Sequence, residues 1–336
     1  MQDENTDIGH VPVLLRESLE LLNIEKSGLY VDATVGLGGH SEAILDANAE
    51  NRLIGIDQDR EALAAAGKPL ERFGSRVRLV HSNYSAIAEI IDNLDWGRPD
   101  GILADLGVSS LQFDSASRGF SLRHDAELDM RMDADSDRET AAELLATLDE
   151  AEIADIIYRY GEERASRKIA RWIVNRRNEG RPVTTTLDLA DLVKRAVRQS
   201  PKDRTHPATR TFQALRIAVN EEFDNLERFL DDAVEVLADG GRLAVITFHS
   251  LEDRIVKQAF QRLSGKCSCP PRMPVCRCGA VEKIEILTRK PILPTDEEIR
   301  QNSRSRSAKL RACRKKPNSE VNDEKETDRP GSDAGE

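Results

Sequence analysis

Three short stretches hold residues whose type and spacing could do chemistry. In the first, Gly36-Leu37-Gly38-Gly39-His40-Ser41, three glycines fall within four positions just before a helical pattern. Glycine lets a backbone turn sharply and approach a ligand closely, and a helix start presents unpaired N–H groups and partial positive charge. The second is Asp57, which closes the apolar run Leu53 to Ile56. A carboxylate in that place, about twenty residues after a glycine turn, suits the hydroxyls of a ribose. The third is Asp105, which closes Ile102 to Ala104 and is followed by Gly107-Val108-Ser109-Ser110. The combination is a nucleoside-ligand site. The glycine spacing is G-x-G-G, not the dinucleotide G-x-G-x-x-G, and a ligand-free βα turn also uses glycine. Asp57 at a strand end is the stronger signal. Up to residue 60 the ligand stays open between a nicotinamide dinucleotide and S-adenosylmethionine.

These residues need strands and helices to hold them. Tyr30–Val35, Leu53–Asp57, Val77–His81, Pro99–Leu106 and Arg242–Phe248 are short apolar runs that read as buried strands. Between the first four lie helical patterns, among them Tyr84–Leu94 with a stripe of Ile87, Ile90, Ile91 and Leu94. The alternation breaks after the fourth strand, and from Gln112 to Arg216 the pattern is helical throughout. A long amphipathic helix over 221–237 then leads into the fifth strand, and Glu282–Thr288 and Ser305–Arg311 pattern as two last strands. Strand–helix repeats with ligand signals at strand ends imply an α/β fold, a doubly wound sheet with a helical insertion. The expected organisation is a disordered start over 1–9, a sheet domain over 10–111 and 217–316, an insertion over 112–216, and a disordered acidic tail over 317–336.

The chain has 336 residues, 39% hydrophobic and 32% charged, with no apolar run near the ~20 residues that span a bilayer. No export signal opens it, and its five cysteines do not make a secreted disulfide framework. A cytoplasmic protein with no membrane partner is the expectation, and a homodimer is among the compatible states. The net charge of −11 hides unlike segments. Residues 125–155 hold twelve acids and two bases, 158–181 eight bases and three acids, and 300–316 eight bases and no acid. Local basic faces can hold phosphates whatever the total, because screening limits distant charge to about 8–10 Å.

Several strings together resemble one family, the bacterial small-subunit ribosomal RNA cytidine N4-methyltransferases. They are His10 to Leu14, Asp32 to Ser41 (DATVGLGGHS), Asp105 to Gln112 (DLGVSSLQ), Leu128 to Met132 (LDMRM) and Thr211 to Glu222 (TFQALRIAVNEE), extended by Gly240 to Arg254 and Ser303 to Ala312. The resemblance covers residues 8–316. It implies a Rossmann-like class I methyltransferase that uses S-adenosylmethionine to methylate N4 of a cytidine in the decoding region of 16S ribosomal RNA. The family's cofactor positions carry over onto Gly38, Gly39, His40, Asp57, Tyr84, Asp105 and Gln112. Tyr84 stands where Phe is usual and keeps a stacking face; Leu111 stands where Pro is common.

The expected reaction needs no metal, because the sulfonium already activates the methyl group. The cytosine N4 lone pair is delocalised, so alignment and a nearby acceptor for an N4 hydrogen must help it. Asp105 is the candidate for that acceptor, with Ser109 and His249 as further catalytic candidates. His249 could equally be a loop histidine beside a capping Ser250, Tyr84 a core aromatic, and Gln112 a helix cap. Arg210 and Arg216 on a basic helix could hold RNA phosphates. Cys267, Cys269, Cys276 and Cys278 form C-x-C-x₆-C-x-C. Four thiolates could bind structural zinc, yet zinc sites favour C-x-x-C, so no metal ligand is assigned. Two other readings compete. A nicotinamide oxidoreductase would need the missing G-x-G-x-x-G, and a non-catalytic ribosome-assembly factor would not need Gly38, Gly39, Asp57 and Asp105.

Overall fold

The computed structural model describes residues 12–115, 118–122, 124–197, 205–267, 269 and 280–317. The expected disordered ends therefore lie outside the described residues, apart from Pro317. So do Cys276 and Cys278 of the cysteine cluster. Two compact units divide the chain: Met1–Asp57, Leu63–Gly107 and Asn225–Glu336 form the first, and Gln58–Ala62 with Val108–Asp224 the second.

The first unit is built on a seven-stranded sheet: β1 (Leu29–Asp32), β2 (Arg52–Asp57), β3 (Val77–His81), β4 (Gly101–Asp105), β5 (Arg242–Thr247), β6 (Ile284–Ile286) and β7 (Lys309–Lys315). Their order is β3-β2-β1-β4-β5-β7-β6. The first five run parallel, and β7 lies antiparallel to both β5 and β6. Helices α1 (Leu15–Leu22), α2 (Gly39–Ala47), α3 (Arg60–Leu70) and α4 (Ile87–Leu94) alternate with the early strands. The strands read as continuous apolar runs because both faces of the sheet are covered. Period-two alternation sorts the side chains. Leu29, Val31, Ile54, Ile56, Ile102, Ala104, Leu243 and Val245 share one core with Ile87, Phe229 and Phe260. Tyr30, Leu53, Leu103, Ala244 and Ile246 share the other with Leu22, Ile44, Ala66 and Leu70.

The second unit holds α5 (Ser110–Asp114), and α6 (Ala141–Thr147), α7 (Glu150–Gly161), α8 (Ser166–Asn178), α9 (Thr186–Ala196) and α10 (Thr209–Asn220) pack around a core of Ile153, Ile157, Ile169, Ile173, Leu189, Phe212 and Leu215. Helix α11 (Glu222–Val236) returns the chain to the sheet, where α12 (Ser250–Leu263) and the short α13 (Asp296–Gln301) complete the helices.

The last strand differs from the sequence expectation of Ser305–Arg311. Ser303–Ser307 forms a 3₁₀ turn capped by Asn302, whose side chain accepts from the Arg304 N–H. The strand starts at Lys309 and runs to Lys315. Its polar end misled the pattern. The Lys315 side chain is buried because its Nζ donates to the Glu235 and Leu237 carbonyls, each at 2.8 Å, at the end of α11.

The tight fit of β1 against β4 is testable. A Cβ at Gly101 would stand 2.8 Å and 2.9 Å from the Tyr30 ring. That ring is pinned by its hydroxyl, which donates to the Lys26 carbonyl at 2.8 Å. Gly101→Ala is expected to lower stability by about 1–3 kcal/mol, the usual range for overpacking, measured as a shift in the urea midpoint with an unchanged slope.

Candidate functional site

In an open parallel sheet, ligands bind beyond the carboxyl ends of the strands where the order reverses. Here that place is the gap between β1 and β4, neighbours in the sheet whose connections leave in opposite directions. Three adjacent strands end there on aspartates: Asp32 on β1, Asp57 on β2 and Asp105 on β4.

The carboxylates at β1 and β2 shape the glycine turn. Asp32 is buried; one oxygen accepts from the Thr34 N–H at 3.2 Å and the other from the Ser41 hydroxyl at 2.7 Å. The strand end is thereby tied to the first turn of α2. Asp57 accepts from the Gly36 N–H at 2.8 Å. Gly36 and Gly38 take φ of +54° and +87°, a region that costs other residues strain. Gly39 is fixed by space instead, since a Cβ there would meet Pro12 Cγ at 2.5 Å. Helix α2 starts at Gly39, and its N-cap, Gly38, offers no side-chain cap.

Asp105 is the electrostatic centre. Its backbone N–H donates to Thr34 Oγ1 at 2.6 Å, which links β4 to the turn after β1. Its Oδ1 is buried without a hydrogen-bond partner. Its Oδ2 lies 3.8 Å from His40 Nδ1, while His40 Nε2 is 3.0 Å from the Val13 carbonyl. Burial holds the Asp105 carboxyl well above the usual carboxylate range, and the charges of Asp32 and Glu252 raise it further. Burial also pushes Asp32 up to about 6, opposed by the hydrogen bonds from Ser41 and Thr34. No Lys or Arg among the described residues pairs with Asp105.

This corner fits S-adenosylmethionine. The molecule brings positive charge on its sulfonium and amino groups, a carboxylate, and a ribose diol. The orphaned Asp105 oxygen in a field of like charge suits a cation, the uncapped start of α2 suits a carboxylate, and Asp57 suits a diol. At Gly36 nothing lies within 4 Å of where a Cβ would stand, so the backbone there is open to a close approach.

Other residues singled out in the sequence fall in different places. Tyr84 opens a 3₁₀ turn just after β3 and packs edge-on against Phe229, with centroids 5.1 Å apart. His249 caps α12: its Nδ1 accepts from the Glu252 N–H at 3.3 Å, and the buried Glu252 carboxylate accepts from the Phe248 and His249 N–H groups. In the second unit, Ser109 and Gln112 form the capping box of α5. The Gln112 amide donates to Asp59 at 2.8 Å and to the Met132 carbonyl at 3.3 Å. Arg118, also buried, joins Asp59 to that same carbonyl. Arg210 donates to the Glu162 carbonyl at 3.2 Å, and Arg216 forms a two-pronged, mostly buried pair with Glu222 at 2.7 and 2.8 Å. Among the described residues no group of three or more His, Cys, Asp or Glu is placed to hold a metal.

Sequence reasoning overlooked Asp32, Thr34 and Glu252. Asp32 was legible as a lone carboxylate closing an apolar run. Glu252 stands three residues after His249, the spacing of a capping box.

Residues 7–316 match the model of the MraW methylase family. Among curated relatives, the ribosomal RNA small subunit methyltransferase H of Symbiobacterium thermophilum is 52% identical over 305 residues, covering 90% of this chain and 95% of the relative. The protein of the same name from Heliobacterium mobile is 52% identical over 309 residues, covering 91% and 98%. That of Geobacter sp. is 50% identical over 311 residues, covering 92% and 99%.

The raised carboxyls predict a pH signature without any ligand. A carboxyl whose folded pKa lies above its unfolded value stabilises the fold below the unfolded pKa, and that contribution is lost as pH rises through the folded one. For Asp32 the window runs from about 3.8 to about 6, and for Asp105 it extends upward from 3.8. Asp105→Asn removes the ionisation cost. By calorimetry the ligand-free variant is expected to melt above wild type at pH 8, with the gap narrowing toward pH 5.

Proposed function

Because the chain belongs to the MraW methylase family, we propose that it transfers a methyl group from S-adenosylmethionine to the exocyclic N4 of one cytidine in the decoding, P-site region of 16S ribosomal RNA. Family membership makes it an S-adenosylmethionine-dependent methyltransferase. The relatives named above carry a name that specifies the ribosomal RNA of the small subunit. The observation in the structure that best supports the reading is the uncompensated Asp105 carboxyl beside the glycine turn and Asp57.

When bound, S-adenosylmethionine supplies a methyl group already activated by its sulfonium. The chain's residues then have three tasks. Gly38, Gly39 and His40 at the start of α2 hold the cofactor's amino-acid end, and Asp57 takes its ribose hydroxyls. Tyr84, braced by Phe229, covers the adenine. Asp105 faces the reacting centre and accepts a hydrogen from the N4 amine, so that positive charge developing on nitrogen meets a carboxylate. A cation arriving there lowers the pKa of Asp105 and makes it a better acceptor. His249 stands at the end of β5 as a neighbour of the target base, held by its cap to α12. Ser109 acts through α5, by capping it. Gln112 carries over as a cofactor position from the family resemblance, and within its own unit its amide is held by Asp59 and the Met132 carbonyl.

RNA is held by basic surface. Arg210, exposed on α10, is a phosphate contact in this reading, whereas Arg216 is taken up by Glu222 and braces the end of that helix. A cytidine within folded RNA must turn out of its stack to reach Asp105, at a cost of a few kcal/mol. The work takes place in the cytoplasm, on ribosomal RNA or the small subunit.

The test pairs binding with product mapping. Titration calorimetry should show binding of S-adenosylmethionine and no binding of NAD. Asp57→Ala should weaken the cofactor about tenfold or more, the loss expected for charged hydrogen bonds worth about 1.5–3 kcal/mol. Asp105→Ala should bind cofactor weakly or methylate at least about tenfold more slowly, the scale of a lost charge-stabilising contact. Mass mapping of ribosomal RNA from cells lacking the protein should find one decoding-region cytidine short of a methyl group. A full complement of methylated cytidines would refute the assigned substrate.

A further inference from the structure

The basic run at 300–316 is left unused by the site as described. The sheet register shows where it lies. Asp105 pairs with Ile246, and Ile246 with Leu310, so Leu310 sits two strands from Asp105. At the usual strand spacing that is about 10 Å. Because β7 is antiparallel, it begins at the ligand end, where Lys309 pairs with Thr247. Everything just before Lys309 in the chain therefore lies on the rim of the site. A second loop reaches the same rim, because Ile292 bridges to Leu310.

The local structure turns these loops' cations outward. Ser305 is fully buried, and both its N–H and its hydroxyl donate to the Asn302 carbonyl, at 3.0 and 2.8 Å. With that residue anchored inward, Arg304 and Arg306 on either side are exposed. On the second loop the buried Thr288 precedes exposed Arg289 and Lys290. The neighbouring acids are committed elsewhere. Asp253 holds Arg311 and Lys309, Glu297 pairs with Arg300, and Glu298 accepts from the Leu14 N–H. Asp296 is the remaining exposed acid of α13. Among the described residues, Arg289, Lys290 and Arg306 form no ion pair.

We propose that Arg304 and Arg306, with Arg289 and Lys290, form a phosphate grip on the rim of the site that holds the RNA backbone beside the target nucleotide. The inference rests on the RNA reading above and names the part of the chain that delivers the substrate. Charge complementarity points to the occupant: guanidinium forks match phosphate oxygens, and Arg289, Lys290 and Arg306 are exposed with no carboxylate paired to them among the described residues. Leu293, 59% exposed on the second loop, offers an apolar contact for a ribose or base. The grip lies in the same unit as Asp105, so its distance from the reacting centre is set by the sheet itself.

Fluorescence anisotropy with a labelled decoding-region RNA fragment, titrated with salt, tests this. Arg304→Gln/Arg306→Gln and Arg289→Gln/Lys290→Gln should each bind the fragment about five- to tenfold more weakly. The log–log salt slope should fall by about 1.4 for each pair, as for two lost phosphate contacts on a single strand. Affinity for S-adenosylmethionine by calorimetry should be unchanged, and Arg304→Lys/Arg306→Lys should keep most of the slope. Wild-type affinity and slope in both glutamine variants, with cofactor binding intact, would overturn the grip alone. Failure of the wild-type protein to bind the fragment or small subunits would overturn the grip together with the RNA reading.

Discussion

The site depends on a crowding of like charge. Asp32, Asp105 and Glu252 are close enough that the first and third raise the carboxyl of the second, and none of the described Lys or Arg residues offsets them at Asp105. A fold would normally avoid such an arrangement, because a buried unpaired carboxylate costs several kcal/mol or takes up a proton. Here the backbone is used to hold it in place. Thr34 pins the Asp105 N–H, Asp32 pins Thr34 and Ser41, and Asp57 pins Gly36. The aspartates of β1 and β2 thus have carboxylate oxygens engaged in shaping the turn, while Asp105 keeps one oxygen without a partner. Such a corner suits a cationic ligand.

Several other polar candidates are engaged as helix caps. His249 and Glu252 cap α12, and Ser109 with Gln112 caps α5. Each satisfies N–H groups that a helix start leaves open, and each was a candidate for direct chemistry by residue type alone. Capping and catalysis draw on the same side chains, because both need a short polar group just past a strand. What separates them is partner count. Gln112 spends its amide on Ser109, Asp59 and Met132, and Arg216 spends its fork on Glu222.

This explains how much was legible beforehand. The parallel strands, the helical insertion and the aspartates at the ends of β2 and β4 followed from apolar runs that stop on a charge, a pattern with few alternatives. The position of β7 did not, because Arg311, Arg314 and Lys315 look solvated in a string. In the fold Arg311 is paired with Asp253, and the Lys315 ammonium is hydrogen-bonded by carbonyls at the end of α11. Segment Gln58–Ala62, between two elements of the sheet unit in the chain, groups with the second compact unit. Its Asp59 and Glu61 pair with Arg118, 59 and 57 residues away in the chain but within 3.2 Å. Long-range ion pairs leave no periodicity, so no window of sequence reveals them.

Net charge gives a similar lesson at larger scale. A chain at −11 looks unsuited to RNA. Yet Asp253, Glu297 and Glu298 beside the rim loops are engaged by nearby cations or backbone, while Arg289, Lys290 and Arg306 are exposed and form no ion pair among the described residues. Screening makes each such patch answer to charge within about 8–10 Å, so distant acids count for little. The negative total can then limit unspecific attraction to nucleic acid while a local positive rim retains it where the reacting residues lie. On the proposed reading, attraction confined to the edge of the pocket would bring a polyanion to the uncompensated Asp105 carboxyl.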